Sequence, residues 1–194
     1  EGFTVEVTNT QRLPNDLFVH QGTVKSGEIA AGAAVHLEVD ADRRRAIARH
    51  HTTTHILQAL LQRELGGHVK QAGSLVAPDR LRFDFTHFAA ITPEQLEKIE
   101  TGLNQAVVEN LPVETSRMSM AQALSSGAMA IFEEKYGEEV RMVAIPGVSK
   151  ELCGGTHVSR TGDIGLVKIV TEAGIAAGIR RIEAVCGREA LRLV

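Results

Sequence analysis

The sequence has few of the features that mark secreted, membrane-bound or strongly cationic proteins. Only two of its 194 residues are cysteine, too few for a disulfide framework. No apolar run approaches the ~18 residues that a transmembrane helix needs, which excludes a membrane-spanning protein, and no signal peptide is visible. Lysine and arginine number 21 against 24 acidic residues, a net charge of -3. The chain therefore has no overall excess of positive charge for binding nucleic acid, although a local basic patch is compatible with this charge.

The residues that are present are typical of a folded globular protein. Hydrophobic residues make up 43% of the chain and charged residues 23%, enough apolar material for a buried core. Histidine occurs eight times. The chain begins at Glu1 rather than at a methionine and ends at Val194 within a predicted helix, so we expect a fragment of a longer protein.

The first part of the chain has the pattern of β-structure. Apolar and polar residues alternate over residues 3–7 and again over residues 34–39, with three glycines between the two runs. We therefore predict a small strand-rich subdomain over residues 1–40, in the form of a partial β-barrel.

The rest of the chain mixes helical and strand patterns. A long helix is predicted from Asp40 or Asp42, both good N-caps, to the stop at Gly66-Gly67. A second helix begins at Pro93 behind its cap Thr92. Further elements predicted from the pattern are a helix over residues 120–135 and strands over residues 68–77, 80–87, 113–118, 139–145, 164–171 and 179–185. Together they predict an α+β fold, with one mixed or antiparallel sheet packed with two or three helices, as a second domain over residues 41–194.

Two short motifs carry the residue types that bind transition metals. His51 and His55 are four positions apart on the long predicted helix, so their side chains face the same way. Cys153 and His157 have the same spacing around a double glycine, which favours a loop. One cysteine and three histidines form a sensible tetrahedral zinc set, since imidazole and thiolate prefer zinc to magnesium or calcium. On spacing alone the alternative stays open that the two pairs are unrelated.

The first motif also argues against one common class of zinc enzyme. Proteases of the His-Glu-x-x-His type carry their general base directly after the first histidine. Thr52 occupies that position here, so such a mechanism is not expected.

Longer blocks surround both motifs, and their joint occurrence is specific. They are His51-Thr52-Thr53-Thr54-His55-Ile56-Leu57, Gln71-Ala72-Gly73-Ser74-Leu75-Val76, Leu81-Arg82-Phe83-Asp84-Phe85, Leu152-Cys153-Gly154-Gly155-Thr156-His157, Arg160-Thr161-Gly162-Asp163-Ile164-Gly165 and Gly178-Ile179-Arg180-Arg181-Ile182-Glu183-Ala184. In this order they resemble the editing domain of alanyl-tRNA synthetase, and the similarity covers essentially the whole chain. Free-standing alanyl-tRNA editing proteins and the editing domain of threonyl-tRNA synthetase share the histidine and cysteine skeleton. His50 is a departure, because the family commonly has asparagine there; a helix turns ~100° per residue, so His50 should face away from His51.

The resemblance implies a cytoplasmic hydrolase that cleaves the ester linking serine or glycine to alanine tRNA. It implies zinc held by His51, His55, Cys153 and His157, and as partners the 3′ end and acceptor region of alanine tRNA and the remaining domains of the synthetase. Such editing is needed because a pocket for alanine rejects glycine or serine by only ~1–3 kcal/mol. A second site must recognise the serine hydroxyl by hydrogen bonds.

Candidates for that recognition are Thr54 and Gln71, with Thr52 and Thr53 as alternatives. Four protein ligands would close a tetrahedral site, so the role of zinc is open: it could orient the substrate, polarise the ester or activate water. Attack by Cys153 itself is the competing hypothesis, which we disfavour because a metal-bound thiolate is a poor nucleophile. Predicted RNA contacts are Arg45, Arg160, Arg180, Arg181, Gly154 and Gly155, for which ion pairs and turns are the simpler interpretations.

Two other functions remain open from the sequence. One is an RNA-binding module in which zinc is purely structural, and the other is an unrelated metallo-hydrolase of small esters. The remaining histidines and Cys186 have no partner pattern; we interpret the histidines as structural and Cys186 as a core residue.

Overall fold

The computed structural model describes residues 2–129 and 139–194. Within these residues the backbone forms nine strands, four α-helices and one short 3-10 helix. The elements are β1 (Thr4–Arg12), β2 (Phe18–Ser26), α1 (Ala41–Leu65), β3 (Gln71–Val76), β4 (Leu81–Thr86), α2 (Pro93–Glu109), β5 (Glu114–Ser119), α3 (Met120–Ser125), β6 (Glu139–Ile145), β7 (Ser149–Leu152), the 3-10 helix (Thr161–Ile164), β8 (Val167–Ala176), β9 (Ile179–Cys186) and α4 (Arg188–Leu191). The predicted α+β class is confirmed.

Contacts divide the chain into two compact units, with the division between Val39 and Asp40. In the first unit, β1 and β2 pair antiparallel as a two-stranded sheet. The strand predicted over residues 34–39 is wrong: that segment is exposed and pairs with no described strand. An alternating pattern forms a strand only where a neighbour accepts and donates its backbone hydrogen bonds. The described part of this unit is therefore a hairpin rather than a larger portion of a barrel.

The predicted long helix is confirmed as α1. Its N-cap is Asp40, whose carboxylate accepts a hydrogen bond from the backbone nitrogen of Arg43 at 2.9 Å. It ends at Gly66, where φ is 115°. Although α1 has 25 residues, neither it nor any other described helix is long and apolar enough to cross a membrane.

The second long helix is also confirmed, as α2. Thr92 and Gln95 form a capping box in which each side chain accepts from the backbone nitrogen of the other. The helix ends at Asn110, which adopts the left-handed conformation with φ of 49°.

The strands of the second unit form two antiparallel sheets instead of the single sheet predicted. One has the order β3-β4-β9-β8 and the other the order β5-β6-β7. The alternating pattern of a strand sets which face is buried, but it does not determine which strand lies alongside. The four-residue β7 was not predicted at all, because so short a run has no clear alternation.

Two predicted element boundaries also differ. The helix predicted over residues 120–135 ends at Ser125, because Gly127 takes a left-handed φ of 80°; residues 130–138 lie outside the described part. The strand predicted from position 164 begins only at Val167, since Thr161–Ile164 form the 3-10 helix, and it continues to Ala176.

The main core lies between the four-stranded sheet and the two long helices. Phe83 of β4, Ile182 of β9, Leu57 of α1 and Leu103 of α2 are all fully buried in it. A smaller cluster packs beside the three-stranded sheet around Met142. Because α1 contacts both sheets, one side of this helix packs in the main core while another faces the loop that follows β7.

Candidate metal centre

Four side chains from two distant parts of the chain meet beside α1. His51 and His55 come from the helix, whereas Cys153 and His157 come from the loop after β7. Their ligand atoms all lie within 4.8 Å of one another, close enough to hold one metal ion. The structure thus brings the two predicted pairs into a single cluster, as a shared metal would require.

The distances inside the cluster resemble those of a coordination shell. The Sγ atom of Cys153 lies 3.4 Å from Nε2 of His51 and 3.3 Å from Nε2 of His157. In a tetrahedral zinc site, bonds of about 2.0–2.3 Å place neighbouring donor atoms about 3.3–3.8 Å apart. The Cys153 contacts fall at this spacing, so only small movements are needed to close the shell around an ion.

The helical half of the cluster lies in an unusually polar buried segment. Thr52, Thr53 and Thr54 separate the two histidines and are all buried. Each donates its hydroxyl proton to the carbonyl oxygen four residues earlier, at 2.8–3.0 Å. These back-bonds satisfy the hydroxyl protons away from water, and they let the helix bring a polar face into the interior.

The loop half depends on a glycine that touches a ligand. A Cβ atom at Gly155 would lie 2.1 Å from Cε1 of His51, far inside ordinary contact, whereas a Cβ atom at Gly154 would meet nothing within 4 Å. The backbone nitrogen of Gly155 also lies 3.5 Å from Sγ of Cys153, to which it donates. Gly155 therefore allows the loop to approach the helix closely and its amide faces the thiol.

A guanidinium group fixes the conformation of this loop. Nη1 of Arg141, on β6, donates to the carbonyl oxygens of Cys153 at 2.8 Å and of Gly155 at 2.7 Å. The backbone nitrogen of Cys153 in turn donates to the carbonyl of Arg141 at 3.0 Å. The loop is thereby attached to the three-stranded sheet on both sides of Gly154.

The electrostatics of the cluster favour a thiolate. Burial by itself would raise the pKa of Cys153, but hydrogen bonds from His157, His51 and His55 outweigh it and lower the pKa to about 3. Burial likewise opposes the charged form of His55, yet its contacts with Cys153 and Glu151 raise the pKa of this imidazole to about 9. Without a metal, the thiolate is thus balanced by a protonated His55.

A buried carboxylate lies behind His55. Oε2 of Glu151 is 2.6 Å from Nδ1 of His55, and its Oε1 accepts a hydrogen bond from Ser149 at 2.9 Å. Only 4% of the Glu151 side chain is exposed. Carboxylates in this position typically orient a metal-binding histidine and increase its basicity.

The extra histidine of the motif faces elsewhere, as predicted. Nδ1 of His50 lies 3.0 Å from the carbonyl of Ala46, and its Nε2 accepts from the backbone nitrogen of Cys186 at 3.2 Å. Burial lowers the pKa of His50, in keeping with a neutral structural residue. Cys186 is confirmed as a core residue, and burial raises the pKa of its thiol to about 12.

The two residues predicted to recognise the substrate occupy different environments. Thr54 lies between the two metal-binding histidines on α1. Its hydroxyl proton is donated to the carbonyl oxygen of His50, so toward a bound substrate its oxygen can act only as a hydrogen-bond acceptor. Gln71 begins β3 and its amide lies 3.5 Å from the hydroxyl of Ser74. The cluster itself consists of the four metal-binding side chains and does not include Gln71.

The predicted RNA-binding arginines all have partners within the chain. Arg45 pairs with Asp42, Arg160 donates to the carbonyl of Asn110, and Arg180 and Arg181 pair with Glu172 and Asp84. The Arg45 and Asp42 side chains are mostly exposed, whereas only 15% of Arg180 is exposed. Arg45 is therefore much freer than Arg180 to exchange its partner for a phosphate.

Sequence reasoning missed three residues that support the cluster: Glu151, Ser149 and Arg141. No spacing relates them to the two metal motifs, and the strand that carries Glu151 was not predicted. A carboxylate two positions before Cys153 was the one available signal.

Comparison with known proteins agrees with this geometry. The family described as "Threonyl and Alanyl tRNA synthetase second additional domain" matches residues 140–183, which include Cys153 and His157. The alanine–tRNA ligase of Desulfosudis oleivorans is 55% identical over 194 residues, which is 100% of this chain and 22% of that protein. The enzyme of Gluconobacter oxydans is 50% identical over 201 residues, 99% of this chain and 23% of that protein. The one from Desulfitobacterium hafniense is 56% identical over 173 residues, 89% of this chain and 20% of that protein.

The resemblance to alanyl-tRNA synthetase is thereby confirmed along the whole chain. The chain spans roughly a fifth of the length of these relatives.

Proposed function

We propose that this chain is an editing domain of alanyl-tRNA synthetase, which hydrolyses the ester of serine or glycine mischarged onto alanine tRNA. The observation that carries the proposal is the cluster of His51, His55, Cys153 and His157. It occurs in a chain that is similar over its full length to alanine–tRNA ligases. We propose a cytoplasmic location for the same reason.

We propose zinc as the metal because the donor set suits it. A thiolate with three imidazoles matches zinc in softness and in number, whereas magnesium and calcium prefer oxygen. Cys153 is already deprotonated at neutral pH, as a metal ligand must be. When bound, zinc supplies Lewis-acid polarisation of an ester carbonyl or of water.

The chain's own residues would provide selectivity for serine. The hydroxyl of Thr54 donates its own proton to the carbonyl oxygen of His50, so its buried oxygen can accept a hydrogen bond from the serine hydroxyl of the substrate. Alanine has no such group, and leaving a buried acceptor without a partner costs about 1–3 kcal/mol. This contact with Thr54 alone corresponds to a discrimination of serine over alanine of roughly 5- to 150-fold. We propose Gln71 as a second contact to the substrate.

The same proposal covers recognition of the tRNA. Phosphates of the acceptor region would replace the intramolecular partners of Arg45 and Arg160, and those of Arg180 and Arg181 to a smaller extent. Because Gly154 adjoins open space, its backbone is the part of the loop that the terminal ribose could approach. The amide of Gly155 is already directed at Cys153.

A deacylation assay tests the proposal. Purified protein is incubated with alanine tRNA carrying serine, and separately with the alanine-charged form as control. We expect selective release of serine, lost in Cys153→Ala. The matched variant is Cys186→Ala, which removes the other thiol of the chain from the core and should retain the activity of whatever fraction is folded. No release above the blank by folded, zinc-loaded protein would contradict the proposal.

One observation favours a second candidate, an RNA-binding module with structural zinc. The cluster offers four protein ligands, which would fill a tetrahedral shell as structural sites do. A structural zinc stabilises the fold, so a chelator should unfold the protein. Loss of deacylation on chelation while the fold persists would instead support the editing function.

A further inference from the structure

A hydroxyl group without exposed surface lies behind the cluster and has three partners. Oγ1 of Thr52 is 3.0 Å from the carbonyl oxygen of Ala48 and 3.2 Å from the backbone nitrogen of Val158. It is also 3.1 Å from Nδ1 of His157. A threonine hydroxyl carries one proton and two lone pairs, so three partners use its full capacity for hydrogen bonds.

The direction of each hydrogen bond follows from the partners. The carbonyl of Ala48 can only accept, so the proton of Thr52 lies on that side; the backbone nitrogen of Val158 can only donate. One lone pair of Thr52 remains for His157, and this contact is attractive only when Nδ1 of the imidazole carries a proton. A neutral imidazole has one N–H group, so Nε2 then carries a lone pair. That Nε2 atom faces the cluster, 3.3 Å from Sγ of Cys153, where a bound ion would take up its lone pair.

We propose that Thr52 is a positioning residue that holds His157 in the Nδ1–H tautomer and so directs the lone pair of Nε2 into the metal cluster. The residue thus acts through His157 and does not recognise the substrate. The inference rests on the proposed metal site, because it is a bound ion that uses this lone pair of Nε2. Second partners of metal-binding histidines fix ring and tautomer in this way in other sites.

Three substitutions separate this role from a general contribution to the helix. Thr52→Val keeps the shape of the side chain but has no hydroxyl, whereas Thr52→Ser keeps the hydroxyl. Thr53→Val is the matched control: Thr53 is equally buried and bonds back to Arg49 at 2.8 Å, but its other partner is Cys186, outside the cluster. A structural role alone would affect the Thr52 and Thr53 valine variants alike.

The first measurement is the position of the His157 ring proton in zinc-loaded protein, by long-range 1H–15N correlation NMR. We expect this proton on Nδ1, in slow exchange with water in the wild type, Thr52→Ser and Thr53→Val, and in faster exchange in Thr52→Val, which has no hydroxyl to accept it. A ring proton on Nε2 in the zinc-loaded wild-type protein would overturn the proposal.

The second measurement is zinc affinity by competition with a chromophoric chelator. Loss of such a second partner typically weakens metal binding 10- to 100-fold. We expect this loss in Thr52→Val, rescue in Thr52→Ser and no change in Thr53→Val. Equal affinity of Thr52→Val and wild type, or a loss in Thr52→Ser as large as in Thr52→Val, would refute the role of the hydroxyl. Failure of the wild type to bind zinc would overturn the proposed metal together with this role of Thr52, whereas a Thr52→Val result equal to wild type would overturn the role of Thr52 alone.

Discussion

Replacing Gly155 by alanine should damage the metal cluster, while the same change one residue earlier should not. An added Cβ atom at Gly155 would lie 2.1 Å from Cε1 and 2.4 Å from Nδ1 of His51. The imidazole would have to retreat by about 1.3 Å to restore a 3.4 Å contact. Metal–ligand distances hold to within about 0.2 Å, so His51 could no longer bind together with the other three ligands.

The expected loss of zinc affinity can be estimated from the contribution of a single ligand to the binding free energy. Structural zinc sites with four ligands bind with about 10–16 kcal/mol, or about 3 kcal/mol for each ligand. Gly155→Ala should therefore weaken zinc binding by roughly 100- to 1,000-fold. The fold should suffer less, because the ring of His51 can turn away and the position does not require a positive φ.

The assay is zinc competition with a chromophoric chelator, together with thermal unfolding of the metal-free protein. Gly154→Ala is the control, since its Cβ atom would meet nothing within 4 Å. Zinc affinity of Gly155→Ala within about threefold of the wild type would refute the packing argument, because a displaced ligand costs far more than that. Equal loss in both variants would instead indicate that the loop backbone requires both glycines.

Three further predictions concern charge. Zinc affinity should rise about tenfold per pH unit from pH 7 to 9 and then level off. The reason is that His55, whose pKa is raised to about 9, must lose a proton before it binds the metal, whereas Cys153, whose pKa is lowered to about 3, is already deprotonated. A flat pH profile in chelator competition would contradict this prediction. Glu151→Gln should weaken zinc binding about 10- to 100-fold in the same assay, since it removes the carboxylate 2.6 Å from His55, and unchanged affinity would exclude its orienting role. Asp84→Asn should cost about 2–3 kcal/mol at neutral pH in urea unfolding, because the bidentate pair with Arg181 is lost. The hydrogen bond from Arg181 lowers the pKa of Asp84, so this stability is present above pH 3.8 and is lost as the pH falls through the lowered value. A difference between variant and wild type that does not shrink as the pH is lowered below 3.8 would argue against the ion pair as its cause.

Local chemistry made several parts of the fold predictable. Asp40 and the stop at Gly66 fixed both ends of α1, and Thr92 and Pro93 fixed the start of α2, because caps and breakers act on neighbouring backbone groups. The spacing of His51 and His55 placed both rings on one helix face for the same reason. The strands of the main sheet followed from short alternating runs such as Leu81, Phe83 and Phe85, whose side chains must share a face.

The partners of these local elements were beyond such patterns. Which strands lie side by side, and that they form two sheets, depends on contacts between residues far apart in the chain. The unpaired run over residues 34–39 shows the converse, a strand pattern that finds no described neighbour. The end of α3 at Ser125 likewise depends on the conformation of Gly127.

The four candidate ligands were determined by the sequence alone, because their residue types and spacing already specify the donor chemistry. Their meeting at one point was decided by the tertiary structure, which packs the loop after β7 against α1 through a glycine that leaves room for His51. The same packing brings Glu151 to His55 and Thr52 to His157, partners up to 105 residues apart in the chain. No local spacing encodes such contacts, since side-chain orientation across two elements is fixed only when both are packed together.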